Sequence, residues 1–152
     1  MKKILWLSLI LLTASITACH DETYDCFSPT DGSNLPELAM AGTYTGSFTR
    51  VSAGDTTHAQ GTMVFVPSDT AYCVNVTFLS TTFSLDVTCR LNCFARNNGV
   101  YGFETNDITN DLGSKIIGTI SPEGDIMTNF VYKQRSGRKT VIFDYSFAGN
   151  KQ

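Results

Sequence analysis

The chain has 152 residues, with 11 basic and 14 acidic side chains and a formal charge of −3. That length suits one domain with one hydrophobic core. A net acidic balance without a basic stripe excludes the electrostatic footprint of a nucleic-acid binder.

The chain opens with Lys2 and Lys3, followed by Ile4 to Leu12, an apolar run broken only by Ser8. A membrane span needs about twenty apolar residues. The run falls well short and reads as the core of a secretory signal. Small and modest residues follow, ending in Ile16-Thr17-Ala18-Cys19. This tetrad resembles the lipobox of bacterial lipoproteins; an ordinary secretory signal is the alternative. The resemblance implies that residues 1–18 form a lipoprotein signal peptide and are removed. It implies further that Cys19 carries a diacylglycerol and that the chain is anchored in the outer membrane. Buried acyl chains contribute about 0.8 kcal/mol per CH₂ to such anchoring. His20-Asp21-Glu22 resembles the acidic export signal of surface-exposed lipoproteins, which implies display at the cell surface. Removal of the leader takes the only tryptophan, Trp6, and both leading lysines. The remainder carries a charge of about −5.

Residues 19–40 read as a tether, rich in turn formers, with one helical turn at Leu35 to Met40 placed by Pro36. From residue 41 the apolar period becomes two. Eight strands are predicted at 41–51, 59–67, 71–79, 82–94, 99–104, 114–120, 125–133 and 139–148. Tyr72, Val74, Val76 and Phe78 alternate with polar neighbours, as do Val141, Phe143, Tyr145 and Phe147. One face is thus apolar and the other wet. The fold class expected is all-β: an eight-stranded antiparallel up-and-down barrel over 41–150, with a two-sheet sandwich as the rival.

Ala41-Gly42-Thr43-Tyr44-Thr45-Gly46, just after a helical turn, resembles the opening strand of calycin-like (lipocalin-like) barrels. The lipocalin signature has Gly, any residue, then Trp; here Gly42-Thr43-Tyr44 takes that place. Lys151 is the basic residue nearest the end of the last strand, where lipocalins often carry an arginine. The resemblance implies a barrel with an internal cavity for a small ligand and names no substrate.

Alternate turns fall at opposite ends. Those near 52–58, 80–81, 105–113 and 133–138 share one end and include the longest loops, so that end is read as the mouth. Tyr44, Phe48, Phe103, Phe130 and Tyr145 are the candidate lining residues, and Arg135 and Arg138 the candidate rim residues. Lys133, Arg135, Arg138 and Lys139 form the one basic cluster. It reads as a solvated hairpin tip or as a contact for an acidic group. His58 with Asp55 reads as a solvated loop histidine. Glu104, Asn106, Asp107, Asn110 and Asp111 read as turn residues and do not match a calcium loop.

Cys26, Cys73, Cys89 and Cys93 are an even set in an oxidising compartment, so two disulfides are expected, with three pairings open. If Ser80-Thr81 makes a two-residue turn, Tyr72 faces Cys89, and a bulge would let Cys73 reach Cys89. The pairing taken forward is Cys73 with Cys89 and Cys26 with Cys93. No zinc spacing, cofactor motif or catalytic constellation is present. Two functions remain. One is an envelope protein binding a small apolar or amphipathic ligand in its barrel. The other is a non-enzymatic accessory subunit of an outer-membrane complex, its barrel filled by its own side chains. Eight strands are wide enough for either.

Overall fold

A computed structural model describes residues 35–105 and 116–152. A short helix, α1 (Pro36–Met40), precedes eight strands: β1 (Gly42–Ser52), β2 (Asp55–Pro67), β3 (Cys73–Ser80), β4 (Leu85–Ala95), β5 (Tyr101–Glu104), β6 (Ile117–Ile120), β7 (Asp125–Ser136) and β8 (Lys139–Lys151). Each strand pairs antiparallel with the next, and β1 pairs with β8, so the sheet closes into a ring. The tether's leading part and residues 106–115 lie outside the described residues, as do Cys19 and Cys26.

All eight expected strands are present, but two hairpins are longer than the sequence suggested. The 52–58 loop is instead a two-residue turn. Ala53 and Gly54 both take positive φ, at 50° and 92°, the left-handed geometry that matches the twist of a hairpin. The ladder therefore continues through Arg50↔Thr57 and Ser52↔Asp55. Gly137, at φ 63°, allows a similar turn between β7 and β8, and pairing there reaches Ser136↔Lys139. By contrast, β5 and β6 are four residues each. They reach only Asn92 to Ala95 of β4 and Ile126 to Asn129 of β7.

The β3–β4 connection is longer than expected. Thr81 to Ser84 form the turn, the Ser84 amide donates to the Thr81 carbonyl at 3.1 Å, and Ser84 takes φ 50°. The register is consequently Phe78↔Val87, Val76↔Cys89 and Cys73↔Asn92. This is displaced by four residues from a two-residue turn, so every side chain keeps its face while every partner changes. The expected Cys73–Cys89 bridge is overturned. The two residues lie three rungs apart on opposite faces, and Cys73, Cys89 and Cys93 are all free, buried thiols. The expected partner of Cys93, Cys26, lies outside the described residues.

The inward face is aromatic and the outward face mixed, mainly polar, with Val66, Met127 and Ile142 also exposed. Tyr44, Phe48, Phe65, Phe78, Phe103 and Phe147 are fully or almost fully buried. Outward positions include Thr43, Thr45, Thr56, Thr88, Arg90 and Lys133, all exposed. Burial of the inner face supplies the main driving force, at about 25 cal/mol per Å² of apolar surface.

Three glycines lie side by side across the closure, with Gly46 registered against Gly61 on one side and Gly149 on the other. A side chain on Gly61 would collide with the Phe48 ring and the Leu79 carbonyl, and one on Gly46 with the backbone of Ala148 and Gly149. Gly118 similarly lies beneath the Phe103 ring. Bare backbone therefore forms hollows in which the large rings sit, as well as easing the bend of the strands.

The end carrying α1 is closed. Met40 is fully buried, and the Tyr44 hydroxyl donates to its carbonyl at 2.9 Å. The Lys151 ammonium donates to the Ala39 carbonyl at 3.1 Å and lies 5.9 Å from the centre of the Tyr44 ring. The last strand, the first strand and the helix are thus tied together by one lysine, a cation over an aromatic face.

Candidate functional site

The lining candidates do face inward, and they touch one another. Phe130 is the hub. Its ring lies 4.6 Å from Phe78, 5.2 Å from Tyr145 and 6.3 Å from Phe48, centre to centre. Phe48 lies 4.6 Å from Phe147. Towards the α1 end, Phe65 bridges Tyr44 at 5.2 Å and Phe103 at 5.1 Å. These are ordinary aromatic contact distances. Two depressions among the described residues lie on the outer surface. One passes over Ser47, Gln60, Met127 and Ala148, the other over Gln60, Thr62, Leu79 and Ser84.

The rim candidates are placed differently from the sequence reading. Arg135 is exposed and shares the outward phase of β7 with Met127 and Lys133, while Arg138 is exposed at the hairpin tip. Neither meets the lining rings. His58 lies within β2 and faces outward, with its Nδ1 3.0 Å from the Thr49 hydroxyl. Among the described residues no cluster of His, Cys, Asp or Glu could hold a metal. Of the acidic loop candidates only Glu104 is described, at the end of β5.

The cation at the mouth is Arg50. It follows Tyr44 and Phe48 in the inward phase of β1, where the long β1–β2 hairpin carries it to the end opposite α1. Its guanidinium carbon lies 4.5 Å from the centre of the Phe83 ring and 4.8 Å from that of Phe143. Phe83 comes from the β3–β4 turn, and its carbonyl accepts from the Gln134 side-chain amide at 3.5 Å. Phe143 and Tyr132 lie within 6.3 and 6.5 Å of Tyr145, centre to centre. Tyr145 is 3% exposed, yet its hydroxyl completes no hydrogen bond. Burial pushes the Tyr145 phenol up, and the neighbouring Arg50 cation offsets part of that rise. The sequence signal for Arg50 was its phase, two residues beyond Phe48.

The buried thiols are a second group. Burial pushes Cys89 up to about 12. Cys93 is likewise pushed to about 12, by burial first and then by Glu37 and Cys73 nearby. Thiols held so firmly protonated are poor nucleophiles. No family model matches this chain, and no match was found among curated proteins or among solved structures.

Proposed function

We propose that this protein is a lipid-anchored, calycin-like envelope protein that acts as a non-enzymatic accessory subunit, presenting a rigid, filled barrel to another envelope component. The observation that carries this reading is the continuous aromatic packing through the barrel, which takes up the space an internal ligand would need. The calycin-like part draws support from Lys151, which lies over Tyr44 and is bonded to the helix before it, where the resemblance leads one to look for a covering cation. Anchoring rests on Ile16-Thr17-Ala18-Cys19. Helix α1, through which the chain enters the barrel, lies at the end opposite the Arg50 mouth.

Two measurements test this. The full-length protein in non-ionic detergent is heated with a neutral sterol, retinol or a fatty-acid methyl ester. No thermal shift is expected. Binding inside the barrel at 100 times Kd would add about 2.7 kcal/mol of stability, and a shift of that size returns the protein to the carrier reading. Separately, Cys19→Ser should leave the protein unprocessed or soluble; its recovery in lipidated form with the outer membrane would remove the anchor from the proposal.

A further inference from the structure

We propose that the Arg50 mouth is a binding site for the carboxylate of a small organic acid with a flat or slender apolar body. Arg50 is a charged side chain turned towards the inside of an otherwise aromatic barrel end. Its cation is held by ring faces, at 4.5 Å from Phe83 and 4.8 Å from Phe143. Among the described residues no carboxylate forms an ion pair with it. Ring faces satisfy the charge of a guanidinium but none of its five N–H donors. A fork of donors on a fixed plane matches the two oxygens of a carboxylate.

The second observation concerns the residue opposite the arginine. The Tyr145 hydroxyl, on β8, is buried and completes no hydrogen bond of normal geometry, although Arg50, its partner across the β1–β8 ladder, lies close by. A buried hydroxyl without a partner carries a desolvation cost that a bound oxygen would relieve. Arg50 and Tyr145 face one another across β1 and β8 in the inward phase, so the two groups can act on one ligand atom set. The walls are positioned rather than loose: Gln134 ties β7 to the carbonyl of Phe83. Phe143 and Tyr132, both part-exposed, supply apolar surface for the body of the acid. This site lies at the end opposite α1 and requires no void deep in the barrel, so it stands apart from the question of an internal ligand.

The test is an NMR titration of the full-length protein in non-ionic detergent, following the arginine side-chain Nε–H signals. The probes are benzoate and hexanoate, with benzamide as neutral isostere and inorganic phosphate as tetrahedral anion. Benzoate or hexanoate should shift the Arg50 signal saturably, and benzamide should not. Arg50→Lys should weaken binding about tenfold, the loss of one good charged hydrogen bond, and Arg50→Met should abolish it. Tyr145→Phe should weaken binding while leaving the unliganded protein at least as heat-stable as before. A purely structural tyrosine would give the opposite: lower stability and unchanged binding. The proposal is overturned by equal shifts with benzoate and benzamide, by no shift with any probe, by preference for phosphate, or by undiminished binding in Tyr145→Phe.

Discussion

Replacing Phe130 with alanine perturbs the point on which most of the interior converges. The ring is 2% exposed and contacts Phe48, Phe78 and Tyr145, the last nearly parallel at 7°. Removing a buried phenylalanine costs about 3–5 kcal/mol through lost transfer energy and the cavity left behind. The upper half of that range is expected here, because the lost aromatic pairs were each worth about 0.5–1.5 kcal/mol beyond area. Total stability is about 5–15 kcal/mol for a domain of this kind, so the variant should fold but melt lower. At about 4 °C per kcal/mol, the fall should be about 16–20 °C. Urea denaturation should show a lower midpoint with an unchanged slope. A dry, ring-lined cavity of this sort binds benzene, so benzene should raise the melting temperature of Phe130→Ala and leave that of the parent unchanged. A loss below about 1 kcal/mol, or equal stabilisation of the parent by benzene, would refute the view that the barrel is filled.

Three other outcomes are expected. Gly46→Ala should be more damaging than a surface change, by about 3 kcal/mol or more, because the added carbon meets backbone that cannot rotate away; wild-type-like melting would contradict it. Tyr44, Cys89 and Cys93 are each held at about 12, against ordinary values of 10 for the phenol and 9 for the thiols. Between pH 9 and 12 the unfolded chain therefore binds fewer protons than the native one. Stability should be flat below pH 8 and fall as pH rises through that window, and equal urea midpoints at pH 7 and 10.5 would exclude this. Lastly, Ellman's reagent at pH 8 should react with Cys89 and Cys93 only as fast as the barrel opens, so reaction in urea should far outpace reaction in buffer; rapid native labelling of either would refute their burial.

The period of two in the sequence was enough to expose eight strands and their inward faces, because burial on one side of a sheet dictates alternation. Turn geometry was less visible. Ala53 gives no sign that it will take φ 50°, so the β1–β2 hairpin read as a loop, and Thr81 to Ser84 look like the start of a strand. That second misreading moved the β3–β4 register by four, an even number, which preserved the faces and destroyed the proposed cysteine pairing. The Arg50 cluster was missed for a related reason. Arginines at a hairpin tip look like a rim, whereas Arg50 looks like an outward polar residue unless it is counted in phase with Tyr44 and Phe48. Its partners, Phe83 and Phe143, come from distant strands that only the closed ring brings together.

The hollows beneath the rings make size a property of pairs of positions. Phe48 fits because Gly61 is bare, and Phe103 because Gly118 is. An alanine at 61 meets the Phe48 ring and also the Leu79 carbonyl, so shrinking residue 48 relieves only part of the clash. Pairing the two changes should therefore be less damaging than the alanine alone, without restoring the parent. Selection acting on this barrel should therefore accept substitutions across the β1–β2 and β5–β6 rungs in matched steps. Divergent copies of the chain would then exchange bulk between neighbouring strands while the overall volume and outline of the barrel stayed constant.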